Sequence, residues 1–217
     1  LLGKNHPTVQ KCLSFAAIAT VADVMPLIGE NRWIVKNGLE SMTTAGGRTK
    51  GLEALIILNG LEVAINEDNL GYKIAPCLNA PGRLYDDGAT KSYKLLVCDS
   101  SPDEAMDMAR EIVADNELRK VKKDEGVAKL EENILKHGLS DDVPLVIYEH
   151  GLEEGLVGLY AGHFAEELKR PCIVFTDSAV DGILKGSARS YGDVHLKHLL
   201  DNNSELIYKY GGHKGAA

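Results

Sequence analysis

The chain has 217 residues, of which 44% are hydrophobic and 26% charged. That is enough apolar material for one large or two small packed domains, and it excludes an intrinsically disordered chain. The formal net charge of -8 excludes a generally basic, nucleic-acid-coating surface, so any phosphate site must be local.

Chain order begins with Leu1-Leu2-Gly3, which leads directly into a polar segment. With no signal peptide and no apolar run near the ~20 residues that span a bilayer, the expectation is a cytoplasmic protein with no membrane partner. Cys12, Cys77, Cys98 and Cys172 form no C-x-x-C pair and stand beside apolar neighbours. They read as buried free thiols, not as a disulfide or zinc framework.

Residues 8–21 predict a helix, apolar over most of its circumference from Leu13 to Val21, hence buried. Asp23 stands at its end. Two readings of it balance: a turn cap or a partner of Arg32, and a hard oxygen ligand for Mg2+ or Mn2+. A second helix is expected over 30–44, stopping at Gly46-Gly47, and a short one over 51–59, ended by Gly60. Asn66-Glu67-Asp68 has the composition of a helix start, running to Pro76. Cys77 to Leu84, with Pro81, Gly82 and Arg83, reads from its residues as a surface turn. Gly88 to Cys98 suits another short helix.

Ser101-Pro102-Asp103-Glu104 is a strong helix start, with an N-cap serine, proline at the first position and acids in the first turn. Apolar positions then recur as far as Gly138, a helix ~50 Å long with Gly126 as its one point of interruption. Charged over most of its surface, it reads as a connector. Beyond it the pattern turns α/β. Strands are expected at 143–148, 172–175 and 182–185, with an amphipathic helix over 153–168 between the first two. Strand–helix–strand order implies a right-handed parallel pair. Two short helices are expected at 193–200 and 203–210.

After the last expected strand comes Lys185-Gly186-Ser187-Ala188-Arg189-Ser190. Gly186 lets a phosphate approach the backbone, Ser187 and Ser190 offer hydroxyls, and Arg189 offers a planar fork matching two phosphate oxygens. Gly211-Gly212-His213-Lys214-Gly215 supplies a second donor-rich turn. Alone these short strings favour a plainer reading, an edge strand with a surface arginine followed by a glycine-rich tail. Few aromatics lie near these strings or near Arg83; Tyr85, Tyr191 and Tyr210 are the candidates for stacking on a ligand ring, a role less common for such tyrosines than simple packing.

Four separated strings, in order, resemble one family. Ala19 to Leu27 with Gly29-Glu30-Asn31-Arg32 resembles the last metal-ligand motif of RecJ-type 5′→3′ single-strand exonucleases, a family of the DHH phosphoesterase superfamily. Leu78-Asn79-Ala80-Pro81-Gly82-Arg83-Leu84 resembles its Asn-Ala-x-Gly-Arg motif. Gly186-Ser187-Ala188-Arg189-Ser190 and Gly211-Gly212-His213 resemble two motifs of the DHH-associated C-terminal domain.

The resemblance implies an α/β fold in three parts. Residues 1–100 would be a helical remainder of the DHH catalytic domain, 101–138 a long connecting helix, and 139–217 a smaller α/β substrate-binding domain with a mixed sheet. It implies phosphodiester hydrolysis with two Mn2+ or Mg2+ ions, Asp23 being one ligand. It implies that Asn79, Arg83, Ser187, Arg189, Ser190, Gly211 and Gly212 hold phosphates of single-stranded DNA or a short oligonucleotide. His213, beside the scissile phosphate, is the expected catalytic group. An oligonucleotide or cyclic-dinucleotide phosphodiesterase of the same superfamily, and a non-catalytic nucleic-acid-binding module, are the alternatives.

Two departures qualify this expectation. The family's H-x-D strand and Asp-His-His string, which supply most metal ligands, are absent from these residues. One carboxylate cannot hold two ions, so the chain is expected to be a C-terminal fragment without hydrolytic activity of its own. Second, Gly151-Leu152-Glu153-Glu154-Gly155 stands where RecJ-like chains often carry Trp-His, so that Glu153 replaces a potential phosphate donor with negative charge.

Overall fold

The computed structural model describes residues 3, 6–44, 46–178 and 180–217. The chain divides into two compact units, the first reaching Arg119 and the second running from Lys120 to Ala217.

The first unit is helical. It comprises α1 (Pro7–Ala22), α2 (Gly29–Met42), α3 (Lys50–Leu58), the single turn α4 (Glu67–Asn69), a π-helical turn over Leu70–Ile74, α5 (Ala75–Leu84), α6 (Gly88–Val97) and the start of α7 (Pro102–His137). Thr49 caps α3 by accepting a hydrogen bond from the Leu52 N–H, and Asn66 and Asn69 form a reciprocal capping box at α4. Leu52, Leu55, Leu70, Ile74, Leu95 and Ile112, all fully buried, make one continuous core. α1 contributes less to it than expected: Ser14, Ala17 and Ile18 are its buried residues.

The segment read as a surface turn, Cys77 to Leu84, is helix α5. Pro76 is the second residue of α5, directly after the π-helical turn. Pro81 lies inside the helix, yet it is buried together with Ala75, Cys77 and Ala80. Packing of that face overrides the turn-like composition.

The second unit is α/β. β1 (Leu145–Tyr148) pairs in parallel with β2 (Cys172–Asp177), and β2 pairs antiparallel with β3 (Leu184–Arg189). The sheet is therefore mixed, in the order β1-β2-β3. α8 (Val157–Glu167), entered through a 3-10 turn at Glu154–Leu156, crosses between β1 and β2. It buries Val157, Tyr160, Ala161 and Phe164 against Leu145, Ile147, Cys172 and Val174. On the opposite face of the sheet, Ile173 and Ala188 meet Leu196 of α9 (Leu196–Asp201).

α7 is continuous through Gly126. An ideal Cβ there would fall 2.4 Å from the Tyr160 hydroxyl, and that hydroxyl donates to the Lys122 carbonyl at 3.2 Å. The glycine makes room for a buried ring and does not break the helix.

Three further expectations differ. The strand placed at 182–185 begins at Leu184 and runs to Arg189, because its register is set by pairing with β2 and not by its own weak propensity. Residues 203–210 hold only a 3-10 turn, Ser204–Leu206; Leu206 and Tyr208 are exposed, so no apolar face supports a helix. Cys12 is exposed, while Cys77, Cys98 and Cys172 are buried. Among the described residues no helix is long and apolar enough to cross a membrane.

Candidate anion site and candidate metal ligand

In the second unit the register of β3 places the functional side chains. Ser187 lies opposite Val174 and Arg189 opposite Cys172, so both project to the face that α8 covers. α8 offers them backbone: an ideal Cβ on Gly158 would lie 3.0 Å from Arg189 Nη2 and 3.2 Å from Ser187 Oγ. The guanidinium is thus half-buried, and burial lowers its pKa; it stays charged, as arginine does throughout the accessible pH range.

Its hydrogen bonds are internal: Nη1 donates to Ser187 Oγ at 3.1 Å and to the Ala188 carbonyl at 2.8 Å. Among the described residues no carboxylate pairs with it. A partly desolvated cation without a counter-ion is costly on its own and favours an anion at that position.

The C-terminal segment closes against the same strand. Ala188 and Ala217 exchange backbone hydrogen bonds at 2.7 and 3.2 Å, the Ser190 N–H donates to Gly215 O at 3.0 Å, and Ser187 Oγ donates to Ala217 O at 3.1 Å. Gly212 has φ +150, and an ideal Cβ on it would meet Ala216 O at 2.5 Å. Only glycine suits this turn. His213 donates its N–H to Ala216 O, and its Nδ1 accepts from the Gly215 N–H at 3.2 Å. Ala216 in turn bridges Arg189. Arg189, Ser187 and the Gly211–His213 turn are therefore joined through one backbone segment.

Two sequence readings are corrected here. Gly186 does not open a path for phosphate: an ideal Cβ on it would fall 2.5 Å from the Phe175 ring, so it is a packing glycine. The Ser190 hydroxyl is used locally, donating to the Val194 carbonyl.

Glu153, read as a source of extra negative charge, is ion-paired with Lys122. Burial pushes its carboxyl up, but the hydrogen bond and charge of Lys122 outweigh this and hold it below the usual range.

In the first unit Asn79, Gly82 and Arg83 fall at i, i+3 and i+4 on α5, one face of the helix. Asn79 and Gly82 are exposed and Arg83 is half-buried. The π-turn over Leu70–Ile74 precedes them, a local irregularity that often accompanies functional sites.

Beyond Arg83, Tyr85 donates its hydroxyl to the buried Asp115 at 3.2 Å, and Lys91 reaches Asp115 at 2.7 Å and Glu111 at 3.3 Å. Burial works against the charge on Lys91, and the two carboxylates outweigh it, raising the lysine's pKa. Tyr85, Lys91 and Glu111 border a cavity of about 300 Å³. The other stacking candidate with a recorded partner, Tyr210, donates its hydroxyl to Asp201 at 2.8 Å.

Asp23 is exposed, and its backbone N–H closes α1 on Ala19 O at 3.0 Å. No ion pair joins it to Arg32 among the described residues. Val24 behind it has φ 52, a strained conformation for a β-branched residue. Exposed Val24, Met25, Ile28 and Trp33 lie around it in sequence.

A dinuclear centre needs several such ligands converging. Among the described residues the one group with ligand atoms close enough is Glu131, His163 and Glu167, within 4.8 Å of one another, and it does not include Asp23. Its His163 Nε2 and Glu167 Oε2 are 3.0 Å apart, four residues apart on α8, an ordinary helix-surface pair. The residues present do not fit a two-metal site around Asp23.

Sequence reasoning missed Gly158 and the pairings of Glu153 and Glu154. The signal available was the spacing of Gly158 and Gly162 on the apolar helix of the second unit.

The second unit combines a mixed sheet, a helix on each face and a strand-borne Ser-x-Arg closed by a glycine turn, and residues 142–217 match the DHHA1 domain. The comparison with individual proteins is narrower. The chain is 35% identical over 206 residues to the single-stranded-DNA-specific exonuclease RecJ of Bacillus subtilis, covering 94% of this chain and 25% of that protein. It is 36% identical over 221 residues to RecJ of Salmonella typhimurium, covering 97% of this chain and 37% of that one.

Thermus thermophilus RecJ in complex with Mg2+ superposes with a TM-score of 0.80 at 27% identity, over 95% of this chain and 31% of that chain. The Mn2+ complex of the same protein gives 0.80, 27% and 95%, over 29% of that chain. The chain is thus similar to RecJ proteins over nearly its whole length, and it spans between a quarter and two fifths of these curated relatives.

Proposed function

We propose that this chain is the substrate-holding part of a metal-dependent, single-stranded-DNA-specific 5′→3′ exonuclease of the RecJ type. The observation that carries the reading is the half-buried Arg189 guanidinium without a carboxylate partner, beside the Ser187 hydroxyl and the turn of Gly211, Gly212 and His213. Arg189 and Ser187 bind a terminal phosphate. His213 hydrogen-bonds a phosphate oxygen next to the bond to be cleaved, while Asn79 and Arg83 hold the strand through its backbone, with Ser190 shaping the loop behind Arg189.

In this reading residues 1–100 are the helical end of a catalytic domain, 101–138 its connecting helix and 139–217 the substrate-binding domain. Phosphate contacts carry no base information, which suits an exonuclease accepting any sequence.

Mn2+ or Mg2+, named with the Thermus structures, would supply activated water in the whole enzyme, with Asp23 one oxygen ligand. Because the other ligands are not among these residues, no hydrolytic step is assigned to this chain. It is expected to leave single-stranded DNA intact when supplied with Mn2+.

The test is binding of a short labelled single strand, with a 5′-phosphate or a 5′-hydroxyl, to wild-type chain and to Arg189→Ala, at low salt without divalent metal. Preference for the phosphorylated strand, lost in Arg189→Ala, is expected. Equal binding of both strands, or a preference that survives the substitution, would overturn the reading.

A further inference from the structure

Along β3, Lys185, Ser187 and Arg189 alternate onto the face covered by α8. The matching residues on the helix side succeed one another at intervals of four: Glu154, Gly158 and Gly162. Gly158 exposes backbone to Ser187 and Arg189, and an ideal Cβ on Gly162 would lie 3.8 Å from Arg189 Cγ. At the other end Glu154 forms an ion pair with Lys185.

The row therefore has two unlike halves. Arg189 faces bare helix and no acid, whereas Lys185, the next cation along the strand, is already neutralised. The Lys185 and Glu154 side chains are 59% and 39% exposed, so removing one of them leaves no buried charge behind.

We infer that Glu154 is a specificity-determining residue of the anion site. By holding Lys185, it ends the row of phosphate donors at Ser187, so that the site reads the terminal phosphate and not the run of backbone behind it. This rests on the phosphate-binding reading of Arg189 given above.

Glu154→Gln would release Lys185 to contact one more phosphate. The test is binding of a short 5′-phosphorylated single strand across a salt series. It compares wild type, Glu154→Gln, Lys185→Ala, the double variant and Arg189→Ala.

Glu154→Gln is expected to bind about threefold more tightly at low salt, with a log–log salt slope steeper by about 0.7. Lys185→Ala is expected to match wild type, and the double variant to return to it. Glu154→Gln that binds like wild type overturns the inference. So does a double variant that keeps the gain, because the gain then comes from removing the Glu154 carboxylate itself and not from a freed Lys185. Lys185→Ala weakening binding as Arg189→Ala does also overturns it, because Lys185 is then already a contact. If Arg189→Ala leaves wild-type binding unchanged, the phosphate reading fails first; if only the Glu154 arms fail, that reading stands.

Discussion

The two units hold their candidate residues in opposite ways. In the second, Ser187 and Arg189 belong to a paired strand, face a packed helix and are tied to the closing segment 211–217 by backbone hydrogen bonds. In the first, Asn79, Gly82 and Arg83 stand on the outer face of α5, and Asp23 is exposed at the end of α1. A strand whose neighbours on both sides are fixed preorganises its side chains. A helix face of which Asn79 and Gly82 are exposed and Arg83 half-buried lacks that strand framework. On the reading proposed above, the second unit would hold its phosphate contacts in a preformed arrangement and the first would not.

Substitutions can break this contrast. The largest effect is expected at Tyr160, fully buried between α7 and the sheet. Tyr160→Ala removes the packing that holds α8 over Arg189 and should cost about 4 kcal/mol, read as the shift of the denaturant midpoint. Loss of the 5′-phosphate preference should accompany it. Preference retained in a destabilised variant would detach the site from α8.

Next come the two arginines. Arg189→Lys keeps the charge and loses the fork, so affinity for a phosphorylated strand should fall about tenfold. Arg83→Lys, on a half-buried helix position outside the paired strand, should change it less than threefold. Equal losses would make the first unit's site as formed as the second's. Ser187→Ala removes one neutral hydrogen bond and should cost about 1 kcal/mol of binding, measured by the same titration.

A smaller effect concerns acid stability. The Glu153 carboxyl is held below its usual range by Lys122. Its folded pKa lies under the unfolded value, so its contribution is present above the unfolded pKa, about 4.3, and lost as pH falls through the lower folded value. Glu153→Gln should flatten the acid limb of the stability curve by less than about 1 kcal/mol; an unchanged limb would remove the pair from the balance. No energetic change at all is expected from alkylation at neutral pH, which should modify Cys12 alone. Burial pushes the Cys172 thiol up to about 12, against the charge of Arg170, and Cys77 and Cys98 are buried. Rapid native-state labelling of Cys172 would show that the second unit opens readily.

Much of the helix and strand content follows from local chemistry. The N-cap at Ser101 with Pro102, Asp103 and Glu104 starts α7 where it is found, and the apolar spacing of Leu156, Tyr160 and Phe164 marks the helix covering the sheet. The Ser-x-Arg and Gly-Gly-His strings were legible as donor-rich sequences before anything placed them together. These features depend on residues close in sequence, which carry their own periodicity and capping signals.

The tertiary structure alone decided the rest. α5 is helical in spite of Pro81 and Gly82, because its inner face has a core to pack against. Residues 204–210 lack such a face and stay largely irregular. Lys185 to Arg189 form a strand because β2 is there to pair with. Whether a glycine opens space, as Gly158 does for Arg189, or fills it, as Gly186 does beneath Phe175, depends on a neighbour distant in sequence. So does whether a charge is spent on another: Glu153 on Lys122 and Glu154 on Lys185, with Arg189 left over. Sequence determines which donors and charges exist; burial and pairing between distant segments determine which of them remain available to a ligand, since an ion pair or a packed ring removes a group that composition still counts.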